Sequence, residues 1–331
     1  MKKKRPSLQD VADRVGVTKM TISRFLRNPE QVSEKLRGTI ARTLDELGYI
    51  PNRVPDILSN ATSRAIGVLL PSLTNQVFAE VIRGIETVTD AAGYQTMLAH
   101  YGYQAEKEED RLVSLLSNNI DGLILAERTH TPRTLKMLAT AGIPVVELMD
   151  SVSPCYDSAV GLDNMRAAYE MTQAMIARGC RRVIYLGARH DERTFMRLQG
   201  YEQAMRDAGL EPGNVMTQES SSYSLGARQL HQVRADYPDA DGLFCTNDDL
   251  AIGAVFECQR LGIRIPQDLA VAGFHGHDVG RVMTPKLASV LTPRDLMGRR
   301  AAEVLLARLR GELPPQQIVD VGFELLPGES I

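Results

Sequence analysis

From Ala65 onward the chain alternates short apolar runs with amphipathic stretches, and this alternation restricts it to one fold class. The runs at 66–70, 96–99, 122–125, 145–148, 183–186, 242–245 and 270–274 are too apolar for strands with one wet face. Strands buried on both faces belong to parallel sheets covered by helices. Between the runs, segments near 77–92, 104–117, 164–178, 194–208, 222–235, 247–261 and 294–310 read as helices. Together they predict an α/β body of doubly wound parallel sheets. Roughly ten strands exceed one comfortable sheet, so two lobes are expected. No repeat of 20–50 residues and no low-complexity tract interrupts the pattern.

The first fifty residues follow a different rule. Residues 1–53 hold 12 Lys+Arg against 6 Asp+Glu, a net of +6, while the remainder holds 26 against 35, a net of −9. The overall net charge of −3 hides this split. A basic head on an acidic body is the electrostatic footprint of nucleic-acid binding at one end. The plainer alternative is a solvated basic tail, and the pattern inside the head decides between them. Ser7 is placed to cap a first helix with Leu8, Val11, Ala12 and Val15 on one face. Gly16 supplies a turn, and Thr18 caps a second helix in which Ile22 and Leu26 face inward. Asn28-Pro29 breaks that helix. Ser33 caps a third, with Leu36, Ile40, Leu44 and Leu47 on one face and Gly48 at its end. This is a three-helix helix-turn-helix head, whose second helix fits the major groove.

Residues 51–62 read as a linker, with Pro55 opening a short hinge helix at 55–60 that is too short to be stable alone. The expected organisation is a DNA-binding head at 1–50, a hinge at 51–62 and a body at 63–331. Within the body, one lobe takes 63–162 plus 292–322 and the other 163–291 plus 323–331. Four scattered cysteines lack metal-ligand spacing and suit a reducing compartment. No apolar run reaches the roughly 20 residues of a membrane helix. MKKKR is followed by polar PSLQDVADR where a signal peptide needs an apolar core, so a cytoplasmic protein with no membrane partner is expected.

An enzyme is a weak alternative. The chain has no G-x-G-x-x-G after a strand, no P-loop, no G-x-S-x-G and no H-E-x-x-H. Asp248 and Asp249 are adjacent on a helix, point apart, and suit its positive N-terminal end. His275-Gly276-His277-Asp278 tempts a metal reading, but no third ligand group is fixed by spacing. No catalytic residue, metal or cofactor is therefore expected.

The order of head, Pro-bounded hinge and two-lobed body resembles the lactose-repressor family of bacterial transcription regulators over essentially the whole chain. The strongest stretches are LQDVADRVGVTKMTISRFLRN at 8–28, YIPNRVPDILSN at 49–60, IGVLLPSLTNQVFAEVIRGIE at 66–86, DGLFCTNDDLAIGA at 241–254 and LAVAGFHGHD at 269–278. The body segments are most similar to family members that govern gluconate utilisation. The resemblance implies a body of the periplasmic-binding-protein type and a repressor released from DNA by a small effector. It also implies a homodimer or larger oligomer on a palindromic operator. The absence of a leucine-heptad tail favours the dimer. A sugar-binding protein of similar body would carry a signal peptide and no head.

The resemblance also assigns candidate residues. Lys19, Met20 and Arg24 match positions that read bases. Lys or Arg can donate to guanine, and Met20 can pack on a thymine methyl. Thr18, Thr21 and Ser23 suit phosphate contacts, which set register rather than sequence. Asn52 and Arg53 lie in the hinge approach. Leu58 matches a leucine that the family wedges into the minor groove, a known way to kink a site; local packing of Leu58 is the alternative. For the effector, the resemblance points to Ser72, Thr74, Gln76 and Phe78 after the first strand, with Asp150, Arg193, Arg197 and Asn247 at later ones. His275 stands where the family usually has Asp. A His there removes a negative charge and adds a donor that can become positive. With Arg197 able to fork onto a carboxylate, the expected ligand is a sugar acid such as gluconate. The alternatives are a structural His275 and lobe-internal salt bridges for Arg193 and Arg197.

Overall fold

The computed structural model describes residues 5–52, 62–152, 154–312 and 316–331. The chain divides into two compact units, Met1–Ser63 and Arg64–Ile331. The expected hinge helix, with Arg53 and Leu58, lies outside the described residues.

The first unit holds α1 (Leu8–Val15), α2 (Lys19–Arg27) and α3 (Glu34–Leu47). Ser7 and Asp10 form a reciprocal capping box on α1, satisfying amide donors that a short helix otherwise leaves open. Gly16 follows at φ +78°, a left-handed turn that suits glycine. Thr18 then caps α2 by accepting the Thr21 amide. Val11, Ala12, Ile22, Val32 and Ile40 are buried, with Leu36, Leu44 and Leu47 packed on them. Helices this short are marginal alone, so this shared core holds them.

In the second unit, β1 (Ala65–Leu70), β2 (Gln95–His100), β3 (Gly122–Leu125), β4 (Val145–Asp150) and β5 (Ser158–Leu162) form one sheet with β11 (Ile318–Asp320), in the order β11-β5-β4-β3-β1-β2. A second sheet takes β6 (Val183–Gly187), β7 (Gly213–Met216), β8 (Gly242–Cys245), β9 (Ala270–His275), β10 (Ala288–Leu291) and β12 (Glu324–Leu326), in the order β12-β10-β9-β8-β6-β7. Every pairing is parallel except β10 with β12. The helices are α4 (Gln76–Ala91), α5 (Ala105–Ser117), α6 (Pro132–Ala141), α7 (Asn164–Ala177), α8 (Glu192–Asp207), α9 (Tyr223–Asp236), α10 (Asp248–Leu261), α11 (Asp278–Val282) and α12 (Arg294–Leu309). The architecture is thus a helix-turn-helix head followed by a two-lobed α/β body, as the alternation predicts.

Two close approaches fix the helices that frame the site. A Cβ on Gly84 would lie 2.2 Å from the Asp295 carbonyl, and one on Gly298 2.1 Å from the Val81 carbonyl, so α4 and α12 meet backbone to backbone. In the second lobe a Cβ on Gly200 would lie 2.0 Å from the Met165 carbonyl, bringing α7 against α8. The ends of β1, β4, β6 and β9 then face one another across a cleft. Open parallel sheets bind ligands at such carboxyl ends.

Candidate functional site

The exposed face of α2 carries Lys19, Met20 and Arg24, with Met20 69% accessible. A large apolar side chain this open has no packing role in the head. Thr18 and Thr21 bond one another through their hydroxyls at 3.1 Å, while Thr21 and Ser23 are half-buried. Asn52 is exposed at the end of the described head segment. The helix thus presents two cations and an apolar tip beside small hydroxyls, the chemistry that reads a major groove.

In the body, Asn75, Val77, Phe78, Tyr103, Met149, Arg189, Asp191, Arg193, Arg197 and His275 line a narrow, closed-down cleft with a free volume of about 20 Å3. Four of these residues hold left-handed backbone: Tyr103 (φ +58°), Met149 (φ +76°), Arg189 (φ +68°) and His275 (φ +105°). Each such non-glycine position costs about 1–3 kcal/mol, and such positions cluster at binding sites.

Arg197 sits at the base of the cleft and is buried. Its Nε and Nη2 donate to Asn164 Oδ1 at 3.1 and 2.9 Å, and its Nη1 donates to the Thr246 carbonyl at 2.6 Å. The same Nη1 lies 3.4 Å from His275 Nε2, and the guanidinium stacks 3.7 Å from the Phe274 ring centroid. All these acceptors are neutral, and among the described residues no carboxylate lies within ion-pair distance. Burial pulls its pKa down to about 9, and the more distant charge of Asp191 offsets this only in part.

The two neighbouring cations are matched. Arg193 Nη2 bonds Glu127 Oε1 at 2.7 Å, and Arg189 Nε bonds Asp191 Oδ2 at 3.2 Å. Burial works against the charge of Asp191, but Arg193 and Arg189 hold it down to about 2. His275 does not become positive here: burial and the Arg197 charge push it well below its ordinary value. A neutral ring with Nδ1–H toward Thr292 Oγ1 at 3.4 Å and Nε2 accepting from Arg197 fits both contacts. The sequence reading of His275 as a potential cation is corrected by this environment.

Of the residues singled out from sequence, Phe78, Arg193, Arg197 and His275 meet around the cleft. The others serve elsewhere. The Ser72 hydroxyl accepts the amides of Thr74 and Asn75 in a local turn, and Thr74 and Gln76 are exposed. Asn247 caps α10 and accepts the Ser221 hydroxyl. Asp150 is buried and bonds Arg128 at 2.8 Å. Asn75, Val77, Tyr103, Met149, Arg189 and Asp191 were not singled out from sequence. Asp191 had a readable signal, since it caps α8 by accepting the Thr194 amide.

The His-Gly-His-Asp loop does not form a ligand set. His277 is buried, stacks on His275 at 5.9 Å and comes no closer to Asp249 than 3.7 Å. Among the described residues no group of three His, Cys, Asp or Glu is arranged to hold a metal ion, and no helix is long and apolar enough to cross a membrane.

Comparison with known proteins adds the following. Residues 7–52 match the family model of bacterial regulatory proteins of the lacI family. Residues 63–318 match that of periplasmic binding proteins and the sugar binding domain of the LacI family. The chain is 72% identical over 331 residues to the HTH-type transcriptional regulator GntR of Escherichia coli K12, covering all of both chains. It is 44% identical to the HTH-type transcriptional regulator IdnR of the same strain, again over all of both chains. A LacI family transcriptional regulator from Silicibacter pomeroyi superposes with a TM-score of 0.91 at 33% identity, covering 98% of this chain and 99% of that one.

Proposed function

The chain belongs to the lacI family of bacterial regulatory proteins, and from that premise we propose how its body controls its head. The protein is a DNA-binding transcriptional repressor. In the proposed account two copies pair as a cytoplasmic homodimer on a palindromic operator, one head per half-site. Lys19, Met20 and Arg24 read base edges, while Thr18, Thr21, Ser23 and Asn52 hold phosphates. Hinge residues 51–62, including Arg53 and Leu58, order on the minor groove. The effector enters the cleft between the lobes and releases the operator. It does so only to the extent that it binds the released state more tightly than the DNA-bound one. No catalytic step is assigned to any residue.

The effector is a sugar acid with one carboxylate, and gluconate is the member of that class we assign. One observation supports this: Arg197 is a buried cation whose hydrogen-bond partners are all neutral. Arg189 and Arg193 already have their carboxylates, so the cleft lacks one negative charge. A ligand carboxylate supplies it, and Phe78, Tyr103 and Asn75 border the space for the polyol chain. His275, neutral, accepts from Arg197 and leaves the cation directed at the ligand.

The test is an operator-binding titration followed by fluorescence anisotropy, with gluconate, galactonate, glucuronate and neutral sugars added in turn. Sugar acids are expected to lower operator affinity, gluconate at the lowest concentration. If a neutral sugar alone changes operator affinity, the assignment of the ligand class is wrong.

A further inference from the structure

We propose that loop 126–131 is a latch that holds the two lobes closed over the cleft, with Glu127 and Thr129 as its working residues. The proposal rests on reading the cleft as the effector site and adds how access to it is controlled.

The loop follows β3 in the first lobe, and its side chains alternate in direction. Glu127 Oε1 accepts from Arg193 Nη2 at 2.7 Å, and the Ala126 carbonyl accepts from Arg193 Nη1 at 2.8 Å. Thr129 Oγ1 donates to Glu192 Oε2 at 2.8 Å. Both partners belong to the first turn of α8, in the second lobe. Arg128 and His130 turn the other way. Arg128 Nη1 bonds Asp150 at 2.8 Å, and His130 is held between Glu108 at 2.7 Å and Glu147 at 3.2 Å. The Arg128 and His130 side chains are 3% and 1% exposed. One side of the loop is therefore anchored in its own lobe while the other reaches across. A buried ionic network that fixes register is a known use of such groups; here Arg128 and His130 are positioning residues for Glu127.

The crossing contacts lie at the wall of the cleft, since Arg193 lines it together with Arg189, whose guanidinium sits 5.3 Å from the Tyr103 ring centroid. For a sugar acid to enter, the Glu127–Arg193 pair must part. The pair forms here without a ligand, and as a latch it stabilises the closed empty and closed loaded states alike. A contact of that kind slows entry and exit together and leaves affinity nearly unchanged. A residue that touches the ligand changes affinity, mainly through the exit rate.

The experiment has two arms on the full-length protein. Stopped-flow binding of gluconate to Thr129→Ala, which removes a crossing contact and leaves the cleft charges in place, is expected to give association and dissociation rates both raised about threefold, with Kd within about threefold of the parent. Glu127→Gln should raise the association rate more, about tenfold, and the dissociation rate by less, because it also leaves Arg193 without its carboxylate beside the cleft and so tightens Kd for the anion. An unchanged association rate with a raised dissociation rate would overturn the latch and make Glu127 a ligand contact. Unchanged rates would overturn it outright. The second arm needs no ligand: hydrogen exchange of the empty protein should be faster at 126–131 and at 189–195 in Glu127→Gln and in His130→Gln. Equal exchange in parent and variants would overturn the latch. If the parent binds no sugar acid, the effector reading fails, and the exchange arm still decides whether the loop is a latch.

Discussion

Arg128 and Arg197 are both buried guanidinium groups in the body, and they keep opposite company. Arg128 bonds Asp150 at 2.8 Å and lies 3.9 Å from Glu147, which also holds His130. Arg197 bonds only an amide oxygen, a carbonyl and a neutral imidazole. Desolvating a cation costs several kcal/mol unless a counter-charge accompanies it. The Arg128 cluster meets that condition within the chain, so it behaves as scaffold. Arg197 does not, and in the proposed function the ligand supplies the missing charge. Burial alone does not distinguish the two; the bookkeeping of opposite charges around each does.

The comparison can be broken most directly at Glu147. Glu147→Ala takes one of two carboxylates from each of Arg128 and His130 and removes the acceptor of the Tyr156 amide. It should cost about 3–5 kcal/mol, read as a large drop in Tm. Arg197→Met is the counterpart. It should weaken gluconate by at least about 100-fold, in keeping with the roughly 2–5 kcal/mol lost when one partner of a buried charge pair is truncated. Its effect on the stability of the empty protein should stay within about 1 kcal/mol. The relief of a desolvated charge there offsets the acceptors left unpaired on Asn164 and Thr246. A fall in Tm as large as that of Glu147→Ala would mean that Arg197 is scaffold too.

A smaller effect is expected from pH. Burial pulls His130 down, but its hydrogen bonds to Glu108 and Glu147 outweigh this and raise it from 6.5 to about 9. A base with a raised folded pKa contributes stability fully below its unfolded value and loses it as pH climbs through the folded one. Up to about 3 kcal/mol should therefore disappear between pH 6.5 and about 9. Thermal melts across this range should show the loss, and His130→Gln should flatten the slope. A parent protein whose stability is level over the range would remove the charged His130 from the account.

The sequence was legible where periodicity is strong. The apolar runs became β1, β2, β3, β4, β6, β8 and β9, and the head helices start at Ser7 and Thr18 as their capping chemistry requires. Ser33 precedes α3 without a side-chain cap bond. β5, β7, β10, β11 and β12 were not singled out, being short and, at the sheet edges, only half-buried. α6 was also missed, although Thr131-Pro132 is a readable start, with Thr131 capping and Pro132 in the first turn.

The site was legible in part. Phe78, Arg193, Arg197 and His275 follow strands whose ends converge, so position along the chain located them. Ser72 and Asn247 have local work to do in a turn and a helix cap, and Asp150 has Arg128. Such competition for a side chain depends on neighbours distant in sequence. The same holds for Glu127 and His130: AERTHT gives no sign of which side chains point inward until α8 and Glu108 are in place. The neutrality of His275 is likewise a property of its burial beside Arg197, which residue type alone does not reveal.

The central claim is that the cleft lacks one negative charge, at Arg197. Calorimetric titration of the full-length protein with gluconate and with gluconamide tests it, because the two share a polyol chain and differ at the carboxylate. Gluconate should bind at least about 100-fold more tightly to the parent, and the preference should vanish in Arg197→Met. Equal affinity of the parent for the acid and the amide would contradict the claim.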